Sequence, residues 1–65
     1  MFKTGDKVIC ISKKSKLLNA QYGAITIGKE YTILINHERC HIRNDDQVTW
    51  GYVQDCFMLA NKEWD

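Results

Sequence analysis

Three side chains near the middle of the chain, His37, Cys40 and His41, are of the types that ligate zinc. A hairpin connection at residues 36–39 would bring the two histidines close to each other. A structural zinc site needs four ligands, however, and the remaining cysteines, Cys10 and Cys56, stand among apolar residues in strand-like segments. We therefore predict no metal site and no other cofactor.

The same residues are poor candidates for nucleophilic catalysis, which requires a thiolate beside a general base. Cys40 and His41 are neighbours in a segment with strand-like alternation, and consecutive side chains of a strand point to opposite faces. Asp45 and Asp46 fit a turn better than a pair of carboxylates for proton transfer, and no glycine-rich phosphate loop is present. We expect the protein not to be an enzyme.

A cluster of lysines, Lys13, Lys14 and Lys16, lies near Tyr22 in sequence, and Arg39 and Arg43 follow later. Lysines and arginines neutralise phosphates, and aromatic faces stack on bases, so these residues can bind RNA or DNA. The net charge is only +1, from nine basic and eight acidic residues, which gives little general attraction to nucleic acid. Nucleic-acid binding is thus an alternative function, and a solvated charged loop is the simpler interpretation.

Four aromatic residues are candidates for contact with a protein partner: Tyr22, Trp50, Tyr52 and Trp64. If Val48, Trp50 and Tyr52 share one strand face, Trp50 belongs to the core. If Trp50 is instead exposed beside Tyr22 or Tyr52, it provides the large aromatic area on which protein interfaces depend. Trp64 lies in a polar terminal segment, where it either folds back or contacts a partner.

Length and composition predict one domain over residues 1–65, with the barrel at about 5–59 and a short tail at 60–65. No apolar run approaches the ~18 residues of a membrane span, and the N-terminus lacks the features of a secretory signal. Three widely spaced cysteines indicate buried thiols rather than disulfides, as in a reducing compartment. These observations predict a cytoplasmic protein, monomeric or weakly self-associating.

The hydrophobic pattern is that of strands separated by turns, without sustained 3.6-residue periodicity. It predicts five short strands that bury Val8, Cys10, Ile33, Ile42, Tyr52 and Phe57. Residues 13–24 are polar and irregular, and we interpret them as a long loop pinned by Leu17, Leu18 and Tyr22. A short chain buries its strand edges best as a strongly bent barrel. The predicted fold is therefore all-β, a small five-stranded barrel with a long first loop and a single 3₁₀ turn before the last strand.

Short motifs carry a family resemblance over roughly residues 5–59: Gly5-Asp6-Lys7-Val8, Gly28-Lys29-Glu30-Tyr31 and the closing segment from Trp50 to Leu59. Together they resemble the small SH3-like proteins encoded by bacteriophages and prophages. The resemblance implies an SH3-like barrel. Gln54 stands where SH3 domains that bind proline-rich peptides have proline, so this peptide recognition is not implied.

From the resemblance we expect a non-enzymatic adaptor or inhibitor that docks on a host or phage protein. The expected docking surface is the groove between the long first loop and the turn at residues 36–39. A nucleic-acid-binding barrel is the first alternative, and a sponge for a small ligand is the second.

Overall fold

The computed structural model describes residues 2–60, and these form an all-β structure. A single-turn 3₁₀ helix, Gln54–Cys56, precedes the last strand. The strands are β1 (Lys7–Cys10), β2 (Lys14–Ser15), β3 (Ala20–Gln21), β4 (Glu30–Asn36), β5 (Cys40–Arg43), β6 (Thr49–Tyr52) and β7 (Phe57–Leu59). Over the described range, no helix is long and apolar enough to cross a membrane.

Five of the strands form one antiparallel sheet in the order β6-β5-β4-β1-β7. Within residues 2–60 no pairing joins β6 to β7, so the sheet is open and these two strands are its edges. The predicted set of five strands is thus confirmed in this sheet. The hairpin of β2 and β3 inside the long loop was not predicted, because strands of two residues leave no periodic pattern.

The longest strand, β4, is shared between two parts of the sheet. Its first half pairs with β1, as in Val8 opposite Tyr31, and its second half pairs with β5, as in Ile33 opposite Ile42. The register shifts between Ile33 and Ile35, an irregularity of the kind that bends a strand and increases its twist. The shift lies where β4 passes from one part of the sheet to the other, and the inward side chains of both parts meet in one core.

The core consists of side chains that alternate along one face of the strands, with Ile25 from the long loop added to them. All six residues predicted to be buried are buried, each with at most 4% of its surface exposed: Val8, Cys10, Ile33, Ile42, Tyr52 and Phe57. The rings of Tyr31 and Tyr52 both meet Phe57 edge to face, with centroids 6.2 and 6.0 Å away. The sequence pattern therefore predicted the inward face of the sheet correctly.

The three cysteines are free and fully buried, as the sequence indicated. Burial raises the pKa of Cys40 and Cys56 to about 11 and also raises that of Cys10. A thiol reacts through its thiolate, so these side chains act as small apolar residues.

Asp45, in the turn after β5, is bonded to four residues of the segment 24–31. Its carboxylate accepts hydrogen bonds from Lys29 Nζ at 2.8 Å, from the Tyr31 hydroxyl at 2.9 Å and from Thr26 Oγ1 at 2.7 Å. Its backbone N–H donates to the carbonyl of Ala24 at 2.8 Å. These bonds, led by the one from Lys29, lower the pKa of Asp45 to about 2.

Candidate protein-docking groove

The long loop is fixed to the 3₁₀ turn by one carboxylate. Asp55 Oδ2 accepts hydrogen bonds from Ser15 Oγ at 3.2 Å and from the backbone N–H groups of Lys16 at 2.8 Å and Leu17 at 3.2 Å. Ser15 is fully buried, and its hydroxyl oxygen also accepts from the N–H of Leu18 at 3.2 Å. The β2–β3 ladder ends at Ser15, and the backbone of residues 16–18 beyond it is held by the side chains of Asp55 and Ser15.

The ionised form of Asp55 is the one that this arrangement stabilises. Burial alone would raise the pKa of Asp55, but the hydrogen bonds from Ser15, Leu17 and Lys16 outweigh it, and the pKa lies below its ordinary value. Charge-assisted hydrogen bonds of this kind are stronger than neutral ones. The loop conformation thus depends on a carboxylate that stays ionised at neutral pH.

The two leucines on this fixed backbone point outward, with 72% of Leu17 and 51% of Leu18 exposed. The prediction that they pin the loop is wrong for both. This part of the loop is held by polar contacts with Asp55 and Ser15, so these two leucines are not needed for the core. Tyr22 is half-buried and packs against the core, as predicted.

The exposed leucines line an open groove of about 460 Å³, which we call the docking groove. Val53 and Gln54 also line it, as do Glu38 and Arg39 of the turn after β4. It lies between the long loop and the turn at residues 36–39, where a docking surface is predicted. Its lining combines the apolar side chains of Leu17, Leu18 and Val53 with one acidic and one basic side chain.

The structure places Tyr22, Trp50 and Tyr52 together along a second groove, beside residues 21–24. The rings of Tyr22 and Tyr52 meet edge to face with centroids 4.8 Å apart. Tyr52 is 2% exposed and belongs to the core, whereas Trp50 is 58% exposed on the edge strand β6. Trp50 faces the same side as its buried cross-strand partner Ile42 but lies beyond the covered part of the core. Trp64 lies outside the described residues.

The basic candidates Lys13, Lys14, Lys16, Arg39 and Arg43 are all exposed. Arg39 lines the docking groove, whereas Arg43 lines a different groove with Lys7 and Lys29. Arg39 directly precedes β5 and Arg43 is its last residue. Because the two arginines line different grooves, the five basic candidates do not form a single binding surface. Lys14 lies in β2, opposite Gln21 of β3.

The histidines and cysteines are dispersed. Cys40 is fully buried, and its thiol lies 3.7 Å from Asn36 Oδ1. His41 lies on the opposite, outer face of β5 and covers Gly51, where a Cβ atom would come within 3.0 Å of the imidazole ring. Across residues 2–60, no three His, Cys, Asp or Glu side chains are grouped so that they could hold a metal ion.

The sequence predicts a docking surface between the long loop and the turn at residues 36–39, and the groove found there is lined by none of the aromatic candidates named from the sequence. The adjacent pair Leu17-Leu18 in a polar segment was a usable signal, because a segment without a regular period has no apolar face in which to bury two neighbouring leucines. Asp55 gave no signal, since its bonding partners lie 38 to 40 residues earlier in the chain.

Compared with protein-family models, curated proteins and solved structures, the chain matches none.

Proposed function

We propose that this protein is a non-enzymatic binding module that docks on another protein through the docking groove. The observation that carries the proposal is the pair of exposed leucines, Leu17 and Leu18, on a backbone held by Asp55 and Ser15. Exposed apolar area that is held in place favours binding, because little conformational entropy is lost when a partner covers it.

The groove also has the composition of a small protein interface. Leu17, Leu18 and Val53 provide apolar area, and Glu38 and Arg39 provide charges of both signs for orientation. A groove that combines apolar side chains with charges of both signs suits a polypeptide better than a phosphate backbone, which requires basic side chains along its path.

The proposal includes an SH3-like barrel architecture. The strand order, the long loop after β1, the 3₁₀ turn before β7 and the bend in β4 support it. The resemblance to phage and prophage SH3-like proteins supports an adaptor or inhibitor role on a host or phage protein.

The experiment is affinity capture from a bacterial lysate with three immobilised forms of the protein: wild type, the double variant Leu17→Ser/Leu18→Ser, and the control Ile27→Ser/Ile35→Ser. The control removes two isoleucines that are 60% and 54% exposed but lie outside the docking groove. We expect a protein that the wild type and the control retain and the leucine variant loses. Equal retention by all three forms would contradict the proposal.

A further inference from the structure

Within residues 2–60, the edge strand β6 has backbone groups that face away from the sheet and have no partner strand. The carbonyl of Val48 accepts from the N–H of Asn44 at 2.9 Å, and the N–H of Val48 donates to Asn44 Oδ1 at 3.0 Å, so both groups of Val48 point toward β5. Backbone groups of consecutive residues in a strand point in opposite directions. The N–H and C=O groups of Thr49 and Gly51 therefore point outward.

Three features that natural sheets use to prevent strand addition, namely charges, proline and bulges, are not found along this edge in the described part of the chain. Residues 48–53 contain no charge and no proline, and the β5–β6 register runs through four consecutive pairs without a bulge. Trp50 lines the grooves on both sides of the strand, so no part of the described chain covers it there. Trp50 and Val48, which are 58% and 48% exposed, face the same side.

We propose that two copies of this chain associate through an antiparallel pairing of β6 with β6 around a two-fold axis at Trp50. In that register, Thr49 of one copy lies opposite Gly51 of the other, and each such pair exchanges two backbone hydrogen bonds. The two Trp50 side chains become direct cross-strand neighbours, which is a favourable position for aromatic pairs. On the outer face of the junction, the imidazole of His41 covers Gly51.

A second copy fits this edge because the edge is self-complementary. The outward-facing residues Thr49 and Gly51 are placed symmetrically about Trp50, as a two-fold axis requires. The net charge of +1 gives little repulsion between copies. A four-residue strand pair buries much less than the ~1,600 Å² of a standard interface, so we expect a dissociation constant on the order of 10⁻⁴ to 10⁻³ M. This inference does not depend on the docking groove, which lies on other residues.

The test is sedimentation equilibrium of the whole chain between about 0.02 and 1 mM, a range chosen to span this expected dissociation constant. Two variants target the junction. Thr49→Pro removes an outward N–H that β5 does not use, and Trp50→Lys places two like charges opposite each other. Met58→Lys is the matched control, since Met58 is 51% exposed on the other edge strand and the change in net charge is the same.

We expect the wild type to dimerise, both junction variants to weaken association at least about tenfold, and the control to stay within about twofold. If Thr49→Pro fails to fold, as judged by circular dichroism, Trp50→Lys alone carries the comparison. A monomeric wild type up to 1 mM would overturn the proposal. So would association that both junction variants retain, or that Met58→Lys weakens as much as Trp50→Lys does.

Discussion

The carboxylate of Asp55 accepts a 2.8 Å hydrogen bond from the backbone N–H of Lys16, which lies 39 residues earlier in the chain. This contact joins the start of the 3₁₀ turn to the tip of the long loop. Because the same oxygen also binds Leu17 N–H, the position of the exposed leucines depends on a residue that lies far away in sequence.

Replacing Asp55 with alanine should destabilise the protein and loosen the loop. The change leaves the N–H groups of Lys16 and Leu17 and the hydroxyl of the buried Ser15 without their acceptor, so we expect a loss of about 1–3 kcal/mol in the free energy of unfolding. Urea denaturation measures it. The control is Asp46→Ala, an exposed turn residue, for which we expect a change within about 0.5 kcal/mol. Equal stability of the two variants would show that Asp55 does not anchor the loop.

The stability of the protein should fall in acid through Asp45. Its pKa is about 2 in the folded protein, against an ordinary value of 3.8, so the unfolded chain takes up a proton at a higher pH than the folded one does. The contribution of Asp45 is therefore fully present above about pH 4 and is lost as the pH falls through 2. Asp45→Asn should flatten the curve of unfolding free energy against pH between 4 and 2. An unchanged slope in this variant would show that protonation of Asp45 does not cause the loss of stability in acid.

All three thiols should resist modification in the folded protein. A pKa raised from 9.0 to about 11 leaves Cys40 and Cys56 with about 100-fold less thiolate at neutral pH than a free cysteine, and burial also blocks access. With an aromatic disulfide reagent we expect no rapid reaction in buffer and three equivalents in urea. A fast single equivalent in buffer would mean that one cysteine is exposed.

The hydroxyl of Tyr22 should be dispensable although its ring is not. Within the described residues the buried hydroxyl oxygen has no hydrogen-bond partner, while the ring packs on Tyr52 and the core. An unpaired buried hydroxyl lowers stability, so Tyr22→Phe should be neutral or slightly stabilising. Tyr22→Ala should cost about 1–3 kcal/mol through lost packing. Thermal unfolding of both variants provides the comparison. A large loss of stability in Tyr22→Phe would show that the hydroxyl is needed.

The sequence was sufficient to predict the sheet but not the groove built on it. Alternation along β4 and β5 identified Ile33 and Ile42 as core residues, because a half-buried strand repeats every two residues. The same rule placed Trp50 on the inward face, and it could not show that β6 is an edge strand on which that face is partly uncovered. Exposure at an edge depends on which strands are neighbours, which is a property of the whole sheet.

The long loop was the least predictable part. Its polar residues have no period, so the small hairpin of β2 and β3 and the outward positions of Leu17 and Leu18 left no pattern. The positions of the two leucines depend on hydrogen bonds to Asp55, which lies 39 residues after Lys16 and 38 residues after Leu17 in the chain. Contacts of this range cannot be derived from local sequence propensities.

The most direct test of the docking function compares the leucines with the lysines of the same loop. The captured partner is purified, and its dissociation constant is measured by calorimetry for the wild type, Leu17→Ser/Leu18→Ser, and the charge variant Lys13→Ala/Lys14→Ala/Lys16→Ala, at low and at physiological salt. Exposed lysines contribute little to stability, so the charge variant should fold normally. We expect the leucine variant to bind at least about tenfold more weakly and the charge variant to stay within about threefold. Binding of an oligonucleotide that is abolished in the charge variant, falls steeply with salt and is indifferent to the loss of both leucines would contradict this account.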